Sequence, residues 1–120
     1  MEKTLMQNLA QCPVTATMQV IGGKWKLLII YLISNDINRF GKMGMMLKDI
    51  SKQMLTTQLR ELENDGIIER RIYAEIPPRV EYFLTEKGKS LNPVIEQLRD
   101  FGFEYLIPKE APHKSVVTVA

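Results

Sequence analysis

The sequence predicts a mainly α-helical protein with one small β-hairpin, an α+β fold. Apolar residues recur at helical spacing in the segments before residue 66, whereas two short β-prone runs follow that residue. The length of 120 residues, with 45% hydrophobic and 25% charged residues, is typical of one globular domain. We expect this domain to span residues 1–107, and residues 108–120, which include two prolines, to form a C-terminal tail that need not be ordered.

Two helices are expected near the N-terminus. The first should begin at Pro13, because proline suits the first helical position, with Cys12 as its cap. Gly22 and Gly23 should end it. A second helix over residues 24–34 carries an apolar stripe wide enough for a central core helix.

The next segment has weaker helical signals. Arg39 and Phe40 are expected to be extended, and residues 41–48 to form a short helix. Gly41 and Gly44 each cost that helix about 1 kcal/mol relative to alanine, so packing must hold it.

The fourth helix has the clearest signals. Ser51 is a suitable N-cap, and Gly66 a suitable stop. Leu55, Leu59 and Leu62 recur at i, i+4 and i+7, which places them on one side of the helix. We expect these leucines to hold the helix to the core, and the acidic end from Glu61 to Asp65 only to close the helix.

A β-hairpin is predicted after the fourth helix, from runs at residues 67–73 and 79–84 that are joined by a proline-stiffened tip. A last helix should open at residue 85 and run to about residue 107, beginning its regular part or kinking at Pro93. Two helices joined by a short turn and followed by a hairpin make a winged helix-turn-helix, in which the second helix enters the major groove of DNA.

The polar face of the fourth helix has the chemistry of a base reader. Arginine can bind guanine bidentately, glutamine can bind adenine, and threonine offers a methyl group to thymine. The amides at a helix N-terminus suit phosphate oxygens. The expected DNA contacts are therefore Ser51 and Lys52 to phosphate and Gln53, Thr56, Thr57 and Arg60 to bases. The open alternative is an ordinary solvated face of an amphipathic helix.

The hairpin, or wing, adds cations beside this helix. Arg70 and Arg71 lie on the first strand, and Arg79 follows the two prolines of the tip, which should hold it rigidly. Arg71 and Arg79 are the expected contacts to backbone phosphate or the minor groove. The open alternative is ion pairing with the nearby carboxylates of Glu69, Glu75 and Glu81.

Composition argues against other classes of protein. One cysteine and one histidine, Cys12 and His113, cannot form a structural metal site, so we expect no metal and no cofactor. The sequence has neither a glycine-rich phosphate loop nor a nucleophile with a nearby base, so we expect no enzymatic activity. It also has no run of about 18 apolar residues and no signal-peptide pattern, which predicts a cytoplasmic protein without a membrane partner.

The chain resembles the HxlR family of bacterial winged-helix transcription regulators from Cys12 to about Gly102. The matching blocks are Cys12-Pro13-Val14, Ile21-Gly22-Gly23-Lys24-Trp25, Arg39-Phe40, Ile50-Ser51 with Met54-Leu55-Thr56, Gln58 to Glu63, Asp65-Gly66, and Pro77 to Tyr82 followed by Leu84-Thr85. The resemblance implies a homodimer held by the N- and C-terminal helices that binds a dyad-symmetric operator in double-stranded DNA. Residues 41–46 depart from the family pattern, which usually has polar residues there.

A self-contact is also indicated by the last helix, whose apolar and aromatic positions exceed what one small core can cover. These positions are Phe101, Phe103, Tyr105, Leu106 and Ile107. The alternatives left open are a winged-helix module that binds protein rather than DNA, and a regulator controlled by a small ligand near the dimer interface.

Cys12 is a candidate redox sensor. A thiol at a helix N-terminus meets free amides and the positive end of the helix dipole, both of which favour the thiolate. The resemblance adds that some family members sense oxidants or electrophiles with a cysteine in this block. The alternative is a buried cysteine that packs as a small apolar residue.

Overall fold

The computed structural model describes residues 9–108. The chain divides between residues 89 and 90 into two compact units, which are described separately below. Residues 1–8 and 109–120, and with them almost all of the expected C-terminal tail and His113, lie outside the described residues. The single domain expected over residues 1–107 stays a prediction.

The first unit contains five α-helices and one antiparallel hairpin among its described residues. After a 3₁₀ turn (Leu9–Gln11), the helices are α1 (Pro13–Ile21), α2 (Lys26–Ser34), α3 (Phe40–Met46), α4 (Lys52–Asn64) and the short α5 (Glu86–Lys89). The strands β1 (Ile68–Tyr73) and β2 (Arg79–Leu84) pair with Ile68 opposite Leu84 and Tyr73 opposite Arg79. The helix-turn-helix α3–α4 followed by the wing β1–β2 confirms the predicted fold class.

Helix α1 begins and ends as predicted. Cys12 caps it, because the Cys12 Sγ accepts a hydrogen bond from the Thr15 amide at 3.3 Å, and Pro13 takes the first position. At the other end the Gly22 amide donates to the Met18 carbonyl at 2.8 Å. A Cβ atom at Gly22 would collide with that carbonyl, so glycine is required at this C-cap.

The boundaries of α2 and α3 differ from the prediction. Helix α2 begins at Lys26 rather than residue 24, because the chain is still turning through Gly23, whose φ is 91°. Arg39 is extended as predicted, whereas the expectation that Phe40 is extended is wrong, since α3 begins there. Helix α3 also ends at Met46 rather than residue 48, because Asp49, with φ 74°, reverses the chain before α4.

Helix α4 has the predicted cap, core face and stop. The Ser51 Oγ accepts from the Met54 amide at 3.0 Å, and Gly66 follows the helix with φ 74°. The three leucines at helical spacing, Leu55, Leu59 and Leu62, are all buried. Full burial of a leucine side chain is worth about 1.5–3 kcal/mol, so this row fixes which face of α4 remains exposed.

The acidic end of α4 does more than close the helix, contrary to the prediction. Glu61 Oε1 lies 2.7 Å from the Nζ of Lys26, which is only 7% exposed and belongs to α2. Glu63 pairs with Arg70 of β1 at 3.7 Å. The last turns of α4 therefore supply counter-charges to the elements packed beside it.

The wing is attached to the helices by backbone hydrogen bonds. The Tyr82 amide of β2 donates to the carbonyl of Asn38, in the α2–α3 loop, at 3.0 Å. At the base of the hairpin the Thr85 amide donates to the Ile67 carbonyl at 3.0 Å. The first bond holds the wing next to the loop that precedes α3, and the second closes the base of the hairpin.

The prediction of one continuous helix from residue 85 is wrong. Helix α5 ends at Lys89, and the second unit contains a separate helix, α6 (Asn92–Tyr105). Pro93 lies in the first turn of α6. A continuous helix would set the Pro93 ring against the Lys89 carbonyl, four residues earlier, so the regular helix begins at the proline, as one of the two expectations for Pro93 had it.

Candidate nucleic-acid interface

The solvent-facing side of α4 carries the side chains predicted to read bases. Gln53, Thr57 and Arg60 are exposed and Thr56 is half-buried, while the leucines on the other side of the helix are in the core. Ser51 and Lys52 are exposed at the N-terminal end of the same helix. The structure therefore leaves five of the six predicted residues of this helix exposed to solvent and the sixth, Thr56, half-buried.

The cations and the amide on this surface are available for an external partner. Within residues 9–108, neither Lys52 nor Arg60 forms an ion pair, and the side-chain amide of Gln53 donates no hydrogen bond. A partner that binds Lys52 or Arg60 therefore displaces no carboxylate of residues 9–108. Such groups suit a polyanion with hydrogen-bonding edges.

The hydroxyl groups on α4 are partly used within the helix. Thr56 Oγ1 donates to the Lys52 carbonyl at 2.8 Å, and Thr57 Oγ1 donates to the Gln53 carbonyl at 3.0 Å. Their hydroxyl hydrogens are therefore engaged, which leaves an oxygen lone pair and a methyl group on each. These are the features that can accept from a base amino group or contact the methyl group of thymine.

The first turn of α4 can bind an anion. Ser51 satisfies the amides of Met54 and Leu55 through its side chain and its carbonyl. The amides of Lys52 and Gln53 have no acceptor among residues 9–108. Free amides and the positive end of the helix dipole at one point favour a phosphate group there.

Arg71 of the wing is paired within the hairpin. Its Nε lies 2.7 Å from the Glu69 carboxylate, and its guanidinium stacks over the Phe83 ring at 4.0 Å. The hydrogen bond to Glu69 raises the pKa of Arg71 above its ordinary value. The ion-pairing alternative considered for this residue is thus present in the structure.

Arg79 is paired more extensively. Its guanidinium lies 3.0 Å from the Glu75 carboxylate and 3.3 Å from that of Glu81, and it stacks over the Tyr73 ring at 4.0 Å. The Arg71–Glu69 pair is exposed, whereas Arg79 is half-buried and Glu81 is only 15% exposed. Exchange of a carboxylate for a phosphate group therefore costs less at Arg71 than at Arg79.

Arg39 is a further cation beside the wing, which no sequence pattern marked as a DNA contact. Its Nη2 lies 3.2 Å from the Glu81 carboxylate, which also binds Arg79. Glu81 thereby holds the N-terminus of α3 and the tip of the wing at one carboxylate. No local pattern could have revealed this contact, because 42 positions separate Arg39 from Glu81.

Cys12 is half-buried at the N-terminus of α1. Its Sγ lies 3.2 Å from Thr15 Oγ1 and accepts from the Thr15 amide at 3.3 Å. The hydrogen bond with the Thr15 side chain, followed by those from the backbone, lowers the pKa of Cys12 below its usual value. A larger fraction of Cys12 is therefore in the thiolate form near neutral pH than of an ordinary cysteine.

Two helices carry apolar side chains that their own unit leaves exposed. On α6 these lie at i, i+4, i+7 and i+11, namely Val94, Leu98, Phe101 and Tyr105. Phe101 and Tyr105 are 56% and 70% exposed, and their ring centroids are 5.1 Å apart. On α1, Val14 and Met18 form a similar exposed pair.

The described residues lack the features of a metal site and of a single membrane-spanning helix. Within residues 9–108, no group of three or more His, Cys, Asp or Glu side chains could hold a metal ion. No single described helix is long and apolar enough to cross a membrane; α1 and α2 meet those criteria only as a pair, with a bend of 74° between them.

Comparison with known proteins places this architecture in a family. Residues 20–110 match the model of the HxlR-like helix-turn-helix family. The chain is 47% identical over 94 residues to the uncharacterized HTH-type transcriptional regulator YdeP of Bacillus subtilis (strain 168), covering 78% of this chain and 73% of YdeP.

Solved structures agree with the family match. The redox regulator HypR in its oxidized form has a TM-score of 0.73 and 46% identity, covering 78% of this chain and 96% of HypR. The reduced form of the transcriptional regulator YodB from B. subtilis has a TM-score of 0.67 and 33% identity, covering 81% of this chain and 96% of YodB. The chain therefore belongs to the HxlR family of helix-turn-helix transcriptional regulators, which act on transcription and are not enzymes.

Proposed function

We propose that the chain acts as a homodimer that binds a dyad-symmetric DNA operator, with α4 in the major groove. The observation that carries this proposal is the exposed face of α4, where Gln53 and Arg60 lie opposite a buried leucine row and Lys52 is exposed at the N-terminal end. Within residues 9–108, no carboxylate pairs with Lys52 or Arg60. Arg60 and Gln53 contact base edges, whereas Lys52 and the first-turn amides hold phosphate.

The wing contributes contacts that do not depend on sequence. Arg71 and Arg79 exchange their carboxylate partners for phosphate oxygens when DNA approaches. Arg39 is near enough to Arg79, through their shared partner Glu81, to join the same phosphate surface. The wing therefore adds affinity, and α4 adds discrimination between sequences.

Dimerisation uses the apolar stripe of α6 and the exposed apolar pair of α1. Exposed apolar side chains at helical spacing on a small domain are typical of a self-contact. A two-fold dimer presents its two α4 helices to half-sites about 34 Å apart, which is one turn of DNA.

Selection of bound sequences from a random DNA library by the purified protein tests this proposal. We expect enrichment of an inverted repeat whose half-sites are centred about 10 base pairs apart. Enrichment of no sequence, or of a single site without dyad symmetry, would contradict the proposed mode of binding. Sedimentation of the protein alone and with the selected duplex gives the number of chains bound.

We also propose that oxidants and electrophiles control this regulator through Cys12. The lowered pKa of the thiol supports the proposal, as do the names of two relatives: HypR is a redox regulator, and YodB has been studied after treatment with diamide. The chain has one cysteine, so diamide can oxidise the Cys12 thiols of two chains to one inter-subunit disulfide, taking up two electrons and two protons.

The test of Cys12 compares the wild-type protein with Cys12→Ser, which keeps an N-capping oxygen. Diamide should change operator affinity in the wild type and leave Cys12→Ser unaffected. Equal sensitivity of the two proteins would contradict the sensing role.

The pH dependence of Cys12 alkylation tests whether Thr15 activates the thiol. Because the Thr15 side chain lowers the pKa of Cys12, Thr15→Val should raise that pKa towards its usual value. The rate of alkylation by iodoacetamide, which follows the thiolate, should then reach its midpoint at a higher pH in Thr15→Val than in the wild type. Profiles that coincide would show that the hydroxyl group does not activate the thiol.

A further inference from the structure

A cavity of about 430 Å³ lies between α3 and the first turn of α4. Its apolar walls include Phe40 of α3, Ile50 of the intervening turn and Leu55 of α4. The volume is within the range of small-molecule sites in proteins, and the cavity is open on one side to solvent.

Two glycines in the wall of this cavity have no structural explanation in the fold. Gly41 and Gly44 line the cavity from α3, where glycine weakens a helix relative to alanine. Neither has a positive φ. A Cβ atom at Gly41 would meet nothing within 4 Å, and one at Gly44 would meet only the Leu55 side chain at 3.8 Å, an ordinary contact.

The effect of these glycines is therefore to keep space open. Alanine or a larger residue at either position would strengthen α3 and occupy part of the space between the two helices. The bare backbone also allows a flat molecule to approach α3 closely, with the Phe40 ring as a further apolar surface.

One end of the cavity favours negative charge. Lys52 belongs to its lining, is exposed, and has no ion pair within residues 9–108. The Ser51 hydroxyl is also in the lining, and no residue of the lining carries a carboxylate. The neighbouring amides of Lys52 and Gln53 lack acceptors among the same residues.

We propose that this cavity binds a small aromatic carboxylate, with its ring against the glycines and its carboxylate at Lys52. The apolar walls match the ring, and the free lysine and amides match the charge. The effect on DNA rests on the proposed function, because Lys52 is also a predicted phosphate contact. Ligand and DNA then compete for Lys52, and each weakens the binding of the other by the same factor.

Calorimetric titration of the full-length protein with 1-naphthoate tests the site. We expect saturable binding of one molecule per chain, weakened at least about tenfold by Gly44→Leu, which fills the cavity. Met46→Leu is the matched control, since Met46 is exposed on the same helix and outside the lining. Equal affinity of the wild type and Gly44→Leu, or no saturable binding at millimolar concentrations, would overturn the proposal.

A second filling variant guards against misfolding of the first. Circular dichroism checks that Gly44→Leu retains its helical content. Gly41→Leu, at a position where a Cβ meets nothing within 4 Å, should weaken 1-naphthoate binding in the same direction.

The charged end is tested separately from the apolar walls. Lys52→Gln should weaken 1-naphthoate about fivefold and leave the binding of neutral 1-naphthalenemethanol unchanged. Lys48→Gln removes a lysine that is outside the lining and should change neither. Equal binding of the acid and the alcohol by the wild type would overturn the assignment of a carboxylate.

The effect on DNA is measured with the operator obtained by selection. 1-Naphthoate should lower the operator affinity of the wild type and have no effect on Gly44→Leu. Ligand binding without a change in operator affinity would overturn the competition. A ligand-free protein that binds no DNA would contradict the proposed function alone, because calorimetry decides the ligand site.

Discussion

Helix α4 and the hairpin β1–β2 both carry arginines towards solvent, but they hold them differently. Arg60 of α4 has no ion-pair partner within residues 9–108, whereas Arg71 and Arg79 of the hairpin are each bound to carboxylates and stacked on an aromatic ring. The arginine of α4 can therefore bind an external partner directly. The arginines of the hairpin must first give up a carboxylate.

The periodicity of each element explains the difference. Residues two apart in a strand point to the same face, so Glu69 and Arg71 meet within one strand, as do Arg79 and Glu81. In α4 the first carboxylate is Glu61, one residue after Arg60, and it is directed to Lys26 of α2. The two-residue spacing of arginine and glutamate in each strand therefore pairs the hairpin cations locally, whereas the carboxylate next to Arg60 is engaged by another helix.

The largest expected effect concerns how firmly the two elements are anchored. Leu59→Ala should lower the free energy of unfolding by about 2–5 kcal/mol, because it leaves a cavity under α4. Ile72→Ala, at a position of β1 that is 64% exposed, should change it by no more than about 0.5 kcal/mol. Urea unfolding at one fixed protein concentration measures both, and comparable losses would show that the hairpin is as firmly packed as α4.

The next effect distinguishes base recognition by α4 from phosphate binding by the wing. Arg60→Ala should cost about 1–3 kcal/mol at one base position of each half-site and relax the sequence preference there. Arg79→Ala should weaken binding to all duplexes and reduce the dependence of log affinity on log salt by about one unit. Fluorescence anisotropy on operator and scrambled duplexes at several salt concentrations distinguishes the two variants. If Arg79→Ala relaxed the sequence preference and Arg60→Ala weakened binding to all duplexes, the roles proposed for helix and wing would be exchanged.

A smaller effect on stability is expected from removing one carboxylate in each element. Glu61→Gln should destabilise the fold by about 1–3 kcal/mol, since it leaves the nearly buried Lys26 ammonium without a counter-charge. Glu69→Gln, whose partner Arg71 is exposed, should destabilise the fold less than Glu61→Gln does. Thermal unfolding measures the stability of both variants. Equal losses of stability in Glu61→Gln and Glu69→Gln would contradict this prediction.

The smallest effect concerns DNA binding by the wing. Glu69→Gln frees Arg71 from its carboxylate, so affinity for any duplex should rise up to about fivefold at low salt. The slope of log affinity against log salt should change little, because Arg71 contacts phosphate in both proteins and only the competing carboxylate is lost. Unchanged affinity would indicate that Arg71 does not approach DNA.

Local signals predicted α4 almost completely. The Ser51 cap, the leucine row and the Gly66 stop each depend on residues within one or two turns of chain, and all three are confirmed. The pairing of the hairpin was predicted for the same reason, because alternation and turn residues are short-range features. The buried leucine row of α4 also predicts which of its residues are exposed.

Contacts between distant segments could not be predicted in this way. Nothing near Lys26 indicates that its partner is Glu61, and nothing near Arg39 indicates Glu81. The start of α3 at Phe40 was missed as well, since a seven-residue helix with two glycines has little helical preference of its own and depends on packing for its bounds.

The sequence by itself determined the fold class, the family and the side chains that α4 presents, because periodicity, capping and turn residues act over a few positions. Only the tertiary structure decided which charges of distant segments are paired. Ion pairs join residues by distance in space, so Glu61 binds Lys26 and Glu81 binds Arg39, although the members of each pair are far apart along the chain. The cavity beside Gly41 and Gly44 likewise forms only where the tertiary structure brings α3 and the first turn of α4 side by side.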